Sequence, residues 1–592
     1  MLVNEQLQIE IDRWSSEPSV PRELKDAIKS MTEAELAECF AADISFGTGG
    51  MRGLMGPGPG RINVCTVRRA AWGFAVHLLE HCDNAKQRGV VIAYDNRHNS
   101  REFAVESAAV LFAQGIKTYV FSELMPTPVL SFAVRYLGAV GGIVVTASHN
   151  PPAYNGFKIY DENGCQMTPE HTDAVGEKIN SIPGYFVRDM IAYDKCESMI
   201  ADPQGVEHAY SDMIIDLMES FPEDILGSED WISSDEIALE PLKVVYSAQH
   251  GTGWRIVPQT LMGAGFTVIE VTEQCHPDAD FTFTKSPNPE DPVSFELAYT
   301  YAENNNADII LVTDPDADRV GVAVKCAGKF VRLSGNQIGA VLLDYILKRK
   351  AEKVTDAQAK PYVVTTIVTS DIGDAICSKY AVDLIKTLTG FKYIGETIQR
   401  KIVQNEKAEF LFGFEESYGY LFDPSVRDKD AVQACAMLSM VADDYRAEGK
   451  TLLDALDDIY AEHGFYYDHL ESIAFKGISG MQQMESFMQN IRQQCKTIFA
   501  ADNLAVVEDY EGRFAQILAT GEQRNLDLPQ AEVLKLIFAD GSWLVFRPSG
   551  TEPKLKIYAC IRAAAGVNAT AESEKQYALL RSRLVASGLI LS

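Results

Sequence analysis

The chain has 592 residues, of which 46% are hydrophobic and 23% charged, with a formal net charge of −30. That length exceeds a single hydrophobic core and predicts three to five domains. So acidic a surface argues against nucleic acid and anionic membranes as partners, and no apolar run is long enough to span a bilayer. The opening Met1-Leu2-Val3-Asn4-Glu5-Gln6 lacks the basic head and apolar core of a signal peptide. Eleven widely spaced cysteines without a CxxC pair suit a reducing compartment, so the expected location is cytoplasmic. An anionic substrate could bind such a chain only where cations, metal or backbone N–H groups are concentrated.

Residues 1–40 have apolar positions at helical spacing. Phe46-Gly47-Thr48-Gly49-Gly50-Met51-Arg52-Gly53 and Gly56-Pro57-Gly58-Pro59-Gly60 follow, glycine-dense enough to bring backbone N–H groups close to an anion, with Arg52 in the same loop. Alone, this stretch reads equally as a flexible surface turn. Residues 90–94 form a predicted strand with Asp95-Asn96-Arg97 at its end, then a helix through 103–112 and a strand at 118–121. The apolar run Gly141-Gly142-Ile143-Val144-Val145 is a predicted buried strand. It leads into Thr146-Ala147-Ser148-His149-Asn150-Pro151-Pro152, where the prolines end regular structure. Ser148 is thus presented at the carboxyl end of a strand, the usual ligand edge of an α/β sheet. Lys158 lies eight residues beyond Asn150.

A second unit opens with a strand at 242–246 and Gly251-Thr252-Gly253. Its strand at 308–312 runs into Thr313-Asp314-Pro315-Asp316-Ala317-Asp318-Arg319. A third holds a strand at 362–368, Thr389-Gly390-Phe391-Lys392-Tyr393-Ile394-Gly395, a strand at 409–412 leading to Gly413-Phe414-Glu415-Glu416-Ser417-Tyr418-Gly419, then Arg427-Asp428-Lys429-Asp430 and a helix from 431. The last segment is predicted α+β, with helices at 480–500 and 573–586, strands at 532–538 and 543–546, and the loop Arg547-Pro548-Ser549-Gly550-Thr551-Glu552-Pro553. The expected division is 1–215, 216–335, 336–465 and 466–592: three similar α/β domains with mixed sheets and a C-terminal α+β domain around a central cleft. In each, an apolar strand hands over to a polar loop, and ligands gather where such loops meet.

In extended chain, residues two apart project to one side, so Asp314, Asp316 and Asp318 can converge on one hard cation. Oxygen-only ligands suit Mg²⁺ or Ca²⁺ rather than zinc. An EF-hand needs glycine at its sixth position and an acid at its twelfth; Arg319 and Lys325 stand there instead. A solvated acidic turn is the plain alternative. Arg547, Ser549, Gly550 and Thr551 supply a guanidinium, hydroxyls and exposed N–H groups suited to a phosphate dianion, or form an ordinary turn. Glu415, Glu416 and Ser417 are acceptors for sugar hydroxyls, or surface residues. Ser148 lacks the GxSxG elbow of a hydrolase. His149, adjacent in an extended chain, is expected to point away from Ser148 and remains only a catalytic candidate.

The loops at Ser148, Asp314, Glu415 and Arg547 resemble, in order and spacing, the four signature loops of the α-D-phosphohexomutases. Thr389-Gly390-Phe391-Lys392-Tyr393-Ile394-Gly395 and the chain length are most similar to the phosphoglucomutase-2 and phosphopentomutase branch. The resemblance implies a phosphoserine at Ser148 and Mg²⁺ on Asp314, Asp316 and Asp318, with a phosphoserine oxygen as a further ligand. It implies sugar contacts from Glu415 and Ser417, and a grip on the idle phosphate from Arg547, Ser549, Gly550 and Thr551. Arg52 and Lys158 match positions near the reacting groups. Arg427, Lys429, Arg319, His250, Lys392 and Tyr393 match substrate contacts. The implied reaction interconverts glucose 1- and 6-phosphates through glucose 1,6-bisphosphate, which is both intermediate and activator. Phosphopentomutase or phosphomannomutase activity are the alternatives; a sugar-bisphosphate synthase or a non-catalytic sugar-phosphate sensor stand further off. Sugar phosphates are the expected partners, and a monomer or homodimer the expected state.

Overall fold

Helices Glu5–Ser16, Arg22–Ser30 and Glu33–Phe40 form where the sequence shows helical spacing. The third starts with a capping box, Thr32 accepting from Glu35 N while the Glu35 carboxylate accepts from Thr32 N. Trp14 anchors the group, fully buried and edge-on to Phe40 and Phe186. The structure, a computed structural model, describes residues 4–46, 50–182, 185–192, 195–196, 200–221, 240–350, 360–404, 407–475, 480–549 and 554–590. The chain divides into two units, Met1–Gly335 with Phe391–Thr451, and Asn336–Gly390 with Leu452–Ser592.

The first unit contains two five-stranded mixed sheets built to one plan. In the first, β1 (Gly50–Leu54), β2 (Val90–Tyr94), β3 (Thr118–Val120), β4 (Gly141–Val145) and β5 (Tyr154–Tyr160) are ordered β1-β5-β4-β2-β3. In the second, β6 (Lys243–Ser247), β7 (Thr267–Glu270), β8 (Ile309–Thr313), β9 (Val320–Cys326) and β10 (Lys329–Arg332) are ordered β10-β9-β8-β6-β7. Each sheet has three parallel strands followed by two antiparallel ones. β2, β4 and β8 are buried along their whole length, as uninterrupted apolar runs in helix-covered sheets should be. Helices Val64–His81 and Ser100–Ala113 supply much of the first core, against Ile92, Ile143 and Phe157. A hairpin of β13 (Ala408–Glu415) and β14 (Gly419–Leu421) and the helix Ala431–Ala447 complete the unit.

One expectation needs correcting. Arg52 lies on a strand rather than in a loop, because β1 pairs with β5 in the register Gly50↔Lys158 and Arg52↔Gly156. Gly47, Thr48 and Gly49 lie outside the described residues.

In the second unit, β11 (Lys360–Thr366) and β12 (Asp383–Thr387) pair in parallel. Seven further strands form an antiparallel sheet: β15 (Phe465–Ala474), β16 (Leu504–Asp509), β17 (Phe514–Ile517), β18 (Gln523–Asn525), β19 (Leu534–Phe538), β20 (Trp543–Pro548) and β21 (Lys554–Ala563). Their order is β15-β21-β20-β19-β16-β17-β18. Helices Gly480–Ile498 and Ala569–Ala586 pack on it through Phe487, Ile491, Tyr577 and Leu580, an α+β arrangement. Among the described residues no helix is long and apolar enough to cross a membrane. None of the eleven cysteines is in a disulfide.

His77 on the helix Val64–His81 is 7% exposed and stacks on His81 at 4.5 Å. Burial, and then the neighbouring His81 and His171, lower its pKa to about 4. The unfolded chain titrates near the ordinary ~6.5. Between those values the unfolded state holds the extra proton, so stability present above the upper value is lost as pH falls toward the lower. Denaturant unfolding of His77→Leu is expected to show a pH slope between about 6.5 and 5 that is shallower than wild type by about 1 kcal/mol per pH unit. Identical slopes would mean that His77 titrates normally in the fold.

Candidate functional site

Ser148 follows β4 and is 4% exposed. Its N–H donates to Thr146 Oγ1 at 2.9 Å, and its φ is 52°, the left-handed region. Such a conformation costs a non-glycine residue about 1–2 kcal/mol. It turns Oγ toward Asp314 Oδ2, at 2.9 Å, and places His149 Nδ1 3.1 Å away. The expectation that His149 points away is therefore corrected: the chain is not extended at Ser148.

The aspartates also converge by a different route from the one expected. They lie on a tight turn after β8, not on extended chain. Ala317 has φ 52° and donates its N–H to Asp314 O at 3.0 Å, while Asp314 Oδ1 accepts from Asp318 N and Arg319 N at 3.1 and 3.0 Å. One oxygen from each of Asp314, Asp316 and Asp318 lies within 4.8 Å of the others, all buried. The turn rests on Gly251, where a Cβ would meet Pro315 Cα at 2.2 Å, and Thr252 N donates to Pro315 O at 2.7 Å. Thr127 holds the other side, donating through Oγ1 to Asp316 Oδ2 and through N to Asp316 O, both at 3.0 Å.

Lys158, on β5, lies 2.8 Å from Asp316 and 3.6 Å from Asp318. Lys429 lies 2.9 Å from Asp318 and 3.1 Å from Asp428, which also accepts from Tyr160 Oη at 2.7 Å. Burial, then the charges of Asp318 and Asp316, push the Asp314 carboxyl well above the usual range. Burial works to raise Asp316 too, but the charge and hydrogen bond of Lys158 override it and hold that group low. Burial opposes the Lys158 charge, and Asp316 and Asp318 outweigh it, so Lys158 is raised.

Asp316 Oδ1 and Asp318 Oδ1 are buried without a hydrogen-bond partner. Orphaned, convergent, oxygen-only donors fit a hard divalent cation, which would also relieve the repulsion that raises Asp314.

The remaining predicted residues are placed as follows. Arg52 is exposed and donates to Asn150 Oδ1 at 3.2 Å. Arg319 pairs with Glu290 at 2.5 Å and lies 3.8 Å from Asp318. His250 is buried with φ 63°; its Nδ1 is 3.1 Å from His276 O, and its Nε2 accepts from Phe283 N at 3.1 Å, so both ring nitrogens are engaged by backbone. Lys392 and Tyr393 open the helix Phe391–Gln404. Glu415 ends β13, buried, and Ser417 is half-buried in the turn that follows. Arg427 is buried, with its N donating to Ser131 Oγ at 2.8 Å. Arg547 and Ser549 belong to the second unit, at and just past the end of β20. Gly550 and Thr551 lie outside the described residues. Sequence reasoning missed Thr127, Tyr160 and Glu290. Only Asp428, between two flagged cations, carried a local signal.

A strand-end hydroxyl aimed at an oxygen-only cation cradle and flanked by lysines defines an enzyme of phosphoryl transfer. The chain matches the phosphoglucomutase/phosphomannomutase family models: α/β/α domain I over 43–185, domain II over 221–328, domain III over 334–463 and the C-terminal domain over 493–575. It is 37% identical to the phosphoglucomutase of Staphylococcus haemolyticus over 89% of this chain and 92% of that one. A Staphylococcus epidermidis phosphoglucomutase is 36% identical over 90% and 94%. Among solved structures, the open form of Paramecium pp63/parafusin, a phosphoglucomutase, matches with TM-score 0.65 and 18% identity over 93% of this chain and 95% of that one. A phosphoglucomutase/phosphomannomutase family protein of Burkholderia thailandensis matches with TM-score 0.61 and 17% identity over 92% and 97%. The chain belongs to the phosphoglucomutase/phosphomannomutase family and is an enzyme of the phosphohexomutase class.

A divalent ion should stabilise the fold through this cradle. Thermal unfolding with Mn²⁺ at about 100 times its Kd is expected to show a gain of about 2.7 kcal/mol. Asp316→Ala should abolish that gain. Equal stabilisation of variant and wild type would place the ion elsewhere.

Proposed function

We propose that this chain is a phosphoglucomutase, interconverting α-D-glucose 1-phosphate and glucose 6-phosphate through a phosphoserine at 148 and a glucose 1,6-bisphosphate intermediate. The observation that carries the reading is the 2.9 Å contact between Ser148 Oγ and Asp314 Oδ2, across 166 residues of sequence. The extent of identity to relatives named phosphoglucomutase supports the choice of sugar.

In the proposed cycle, a hydroxyl of the bound sugar monophosphate attacks the phosphorus of phosphorylated Ser148. The new sugar–phosphate bond forms as the Ser148 Oγ–P bond breaks, and the proton lost by the attacking hydroxyl balances the one gained at Oγ. The bisphosphate turns in the site, and Ser148 Oγ attacks its other phosphorus; the Oγ–P bond forms as the sugar O–P bond breaks, and the freed sugar oxygen gains the proton that Oγ loses. Asp314, Asp316 and Asp318 would hold Mg²⁺, with a phosphoserine oxygen as a further ligand; the ion, when bound, draws charge from the phosphoryl oxygens. Lys158, whose charge is favoured by Asp316 and Asp318, stands beside the reacting group, and it, Arg52 or His149 would assist the proton that leaves the attacking hydroxyl. His149 Nδ1, 3.1 Å from Oγ, is placed to return a proton to the serine oxygen when the phosphoryl group leaves. Lys429 adds charge at Asp318, 2.9 Å away, and Arg52 would add it from β1. Glu415 and Ser417 would accept from sugar hydroxyls, and Arg319, Arg427, Lys392 and Tyr393 would line the substrate. His250, with both nitrogens occupied, would contribute shape only. Arg547, Ser549, Gly550 and Thr551 would grip the phosphate that is not moving.

Ser148→Ala is expected to lower kcat by about 10⁴-fold or more in a coupled assay with glucose 1-phosphate and glucose 1,6-bisphosphate. Intact mass should show no phosphate on the variant. A variant retaining about a tenth of wild-type turnover would remove Ser148 as the carrier. A higher kcat/KM for ribose 1-phosphate or mannose 1-phosphate than for glucose 1-phosphate would overturn the choice of sugar.

A further inference from the structure

The turn after β2 holds Asp95, Asn96 and Arg97, to which the cycle above gives no task. Arg97 is 3% exposed. Its Nε donates to Asp95 Oδ2 at 3.1 Å. Its Nη1 donates to the carbonyls of Pro151 and Tyr154 at 2.8 and 3.1 Å, and its Nη2 to the carbonyls of Ser148 and Asn150, both at 2.5 Å. A guanidinium has five N–H donors. All five are spent inside the protein, so none is left for a phosphate.

Four carbonyls around the Ser148 turn therefore converge on one buried cation. Asp95 is fixed in turn, accepting from Arg97 N at 3.0 Å and from Ser100 Oγ at 2.7 Å. The ring of Phe281 covers the guanidinium at 5.0 Å. A non-glycine residue persists at positive φ only where its surroundings over-determine it. At Ser148 those surroundings include this clamp, which binds the residue's own carbonyl, beside Thr146 Oγ1, which accepts from its N–H. Lysine cannot replace it: an ammonium offers three donors from one point, not a planar fork that spans a carboxylate and four carbonyls.

We propose that Arg97 is a positioning residue for phosphoryl transfer: its guanidinium, oriented by Asp95, locks Ser148 in the left-handed conformation that aims Oγ at Asp314. The inference rests on the mutase reading of the same site and adds to it the device that sets the serine's direction. Because Arg97 meets neither sugar nor phosphate, it acts on the rate of transfer and not on binding.

The test uses the full-length wild type, Arg97→Lys and Asp95→Asn. Misplacing a reacting oxygen by about 1 Å costs on the order of 100-fold, so Arg97→Lys is expected to lower kcat by about that factor. Its KM for glucose 1-phosphate should stay within about threefold of wild type. Mn²⁺ affinity should be unchanged, and crystals of the variant should show Ser148 φ outside the left-handed region. A kcat within about threefold of wild type, or a raised KM with kcat unchanged, overturns the proposal. If Arg97→Lys does not fold, Asp95→Asn decides: a kcat lowered about tenfold at constant KM supports the clamp, and an unchanged kcat overturns it. Wild type without mutase turnover would defeat the functional reading instead, and the Ser148 conformation in variant crystals would still judge the clamp.

Discussion

Three carboxylates buried within 4.8 Å of one another repel strongly unless positive charge is brought to them. The architecture of the first unit answers that constraint. One lysine comes from β5 and another from the loop before the helix Ala431–Ala447. Asp428 joins the group, so four carboxylates face two ammoniums. With all four acids ionised, the remaining formal charge of −2 is what a divalent ion would cancel. Strand register, the Thr127 clasp and the Gly251 contact all serve to hold this unbalanced set together until it is balanced.

The two five-stranded sheets share a plan in which β4 and β8 occupy the same place. Ser148 and the aspartate turn thus sit on equivalent loops of a repeated scaffold, and β13 leads into a third strand-end loop. Each of these loops, and the one after β6, contains a non-glycine residue at positive φ: Ser148, Ala317, Tyr418 and His250. Strain of this kind gathers at working sites, where surrounding contacts can hold it. Helix-covered sheets supply rigid ends, and the loops spend local stability on aim.

The apolar central strands such as β2, β4 and β8, and the three aspartates as one group of acids, could be read from periodicity and residue type, because those signals are local. What could not be read depended on pairing across the sequence. Arg52 became a strand residue only through β5, which lies about a hundred positions on in the chain. His149 reached the Ser148 hydroxyl because of one backbone angle, and that angle depends on carbonyl partners supplied by β2's end. Thr127, in an unremarked Pro-Thr-Pro helix start, gains its role from a residue 189 positions away. The three acids were expected to converge along extended chain and do so by a turn.

These separations bear on how the enzyme is made. Ser148 meets Asp314 across 166 residues, Tyr160 meets Asp428 across 268, and Ser131 meets Arg427 across 296. Domains can fold in order as a polypeptide leaves the ribosome, yet this centre cannot close until position 430 has emerged. A nascent or truncated chain that ends before Lys429 therefore carries the serine without the full set of groups that surrounds the aspartates.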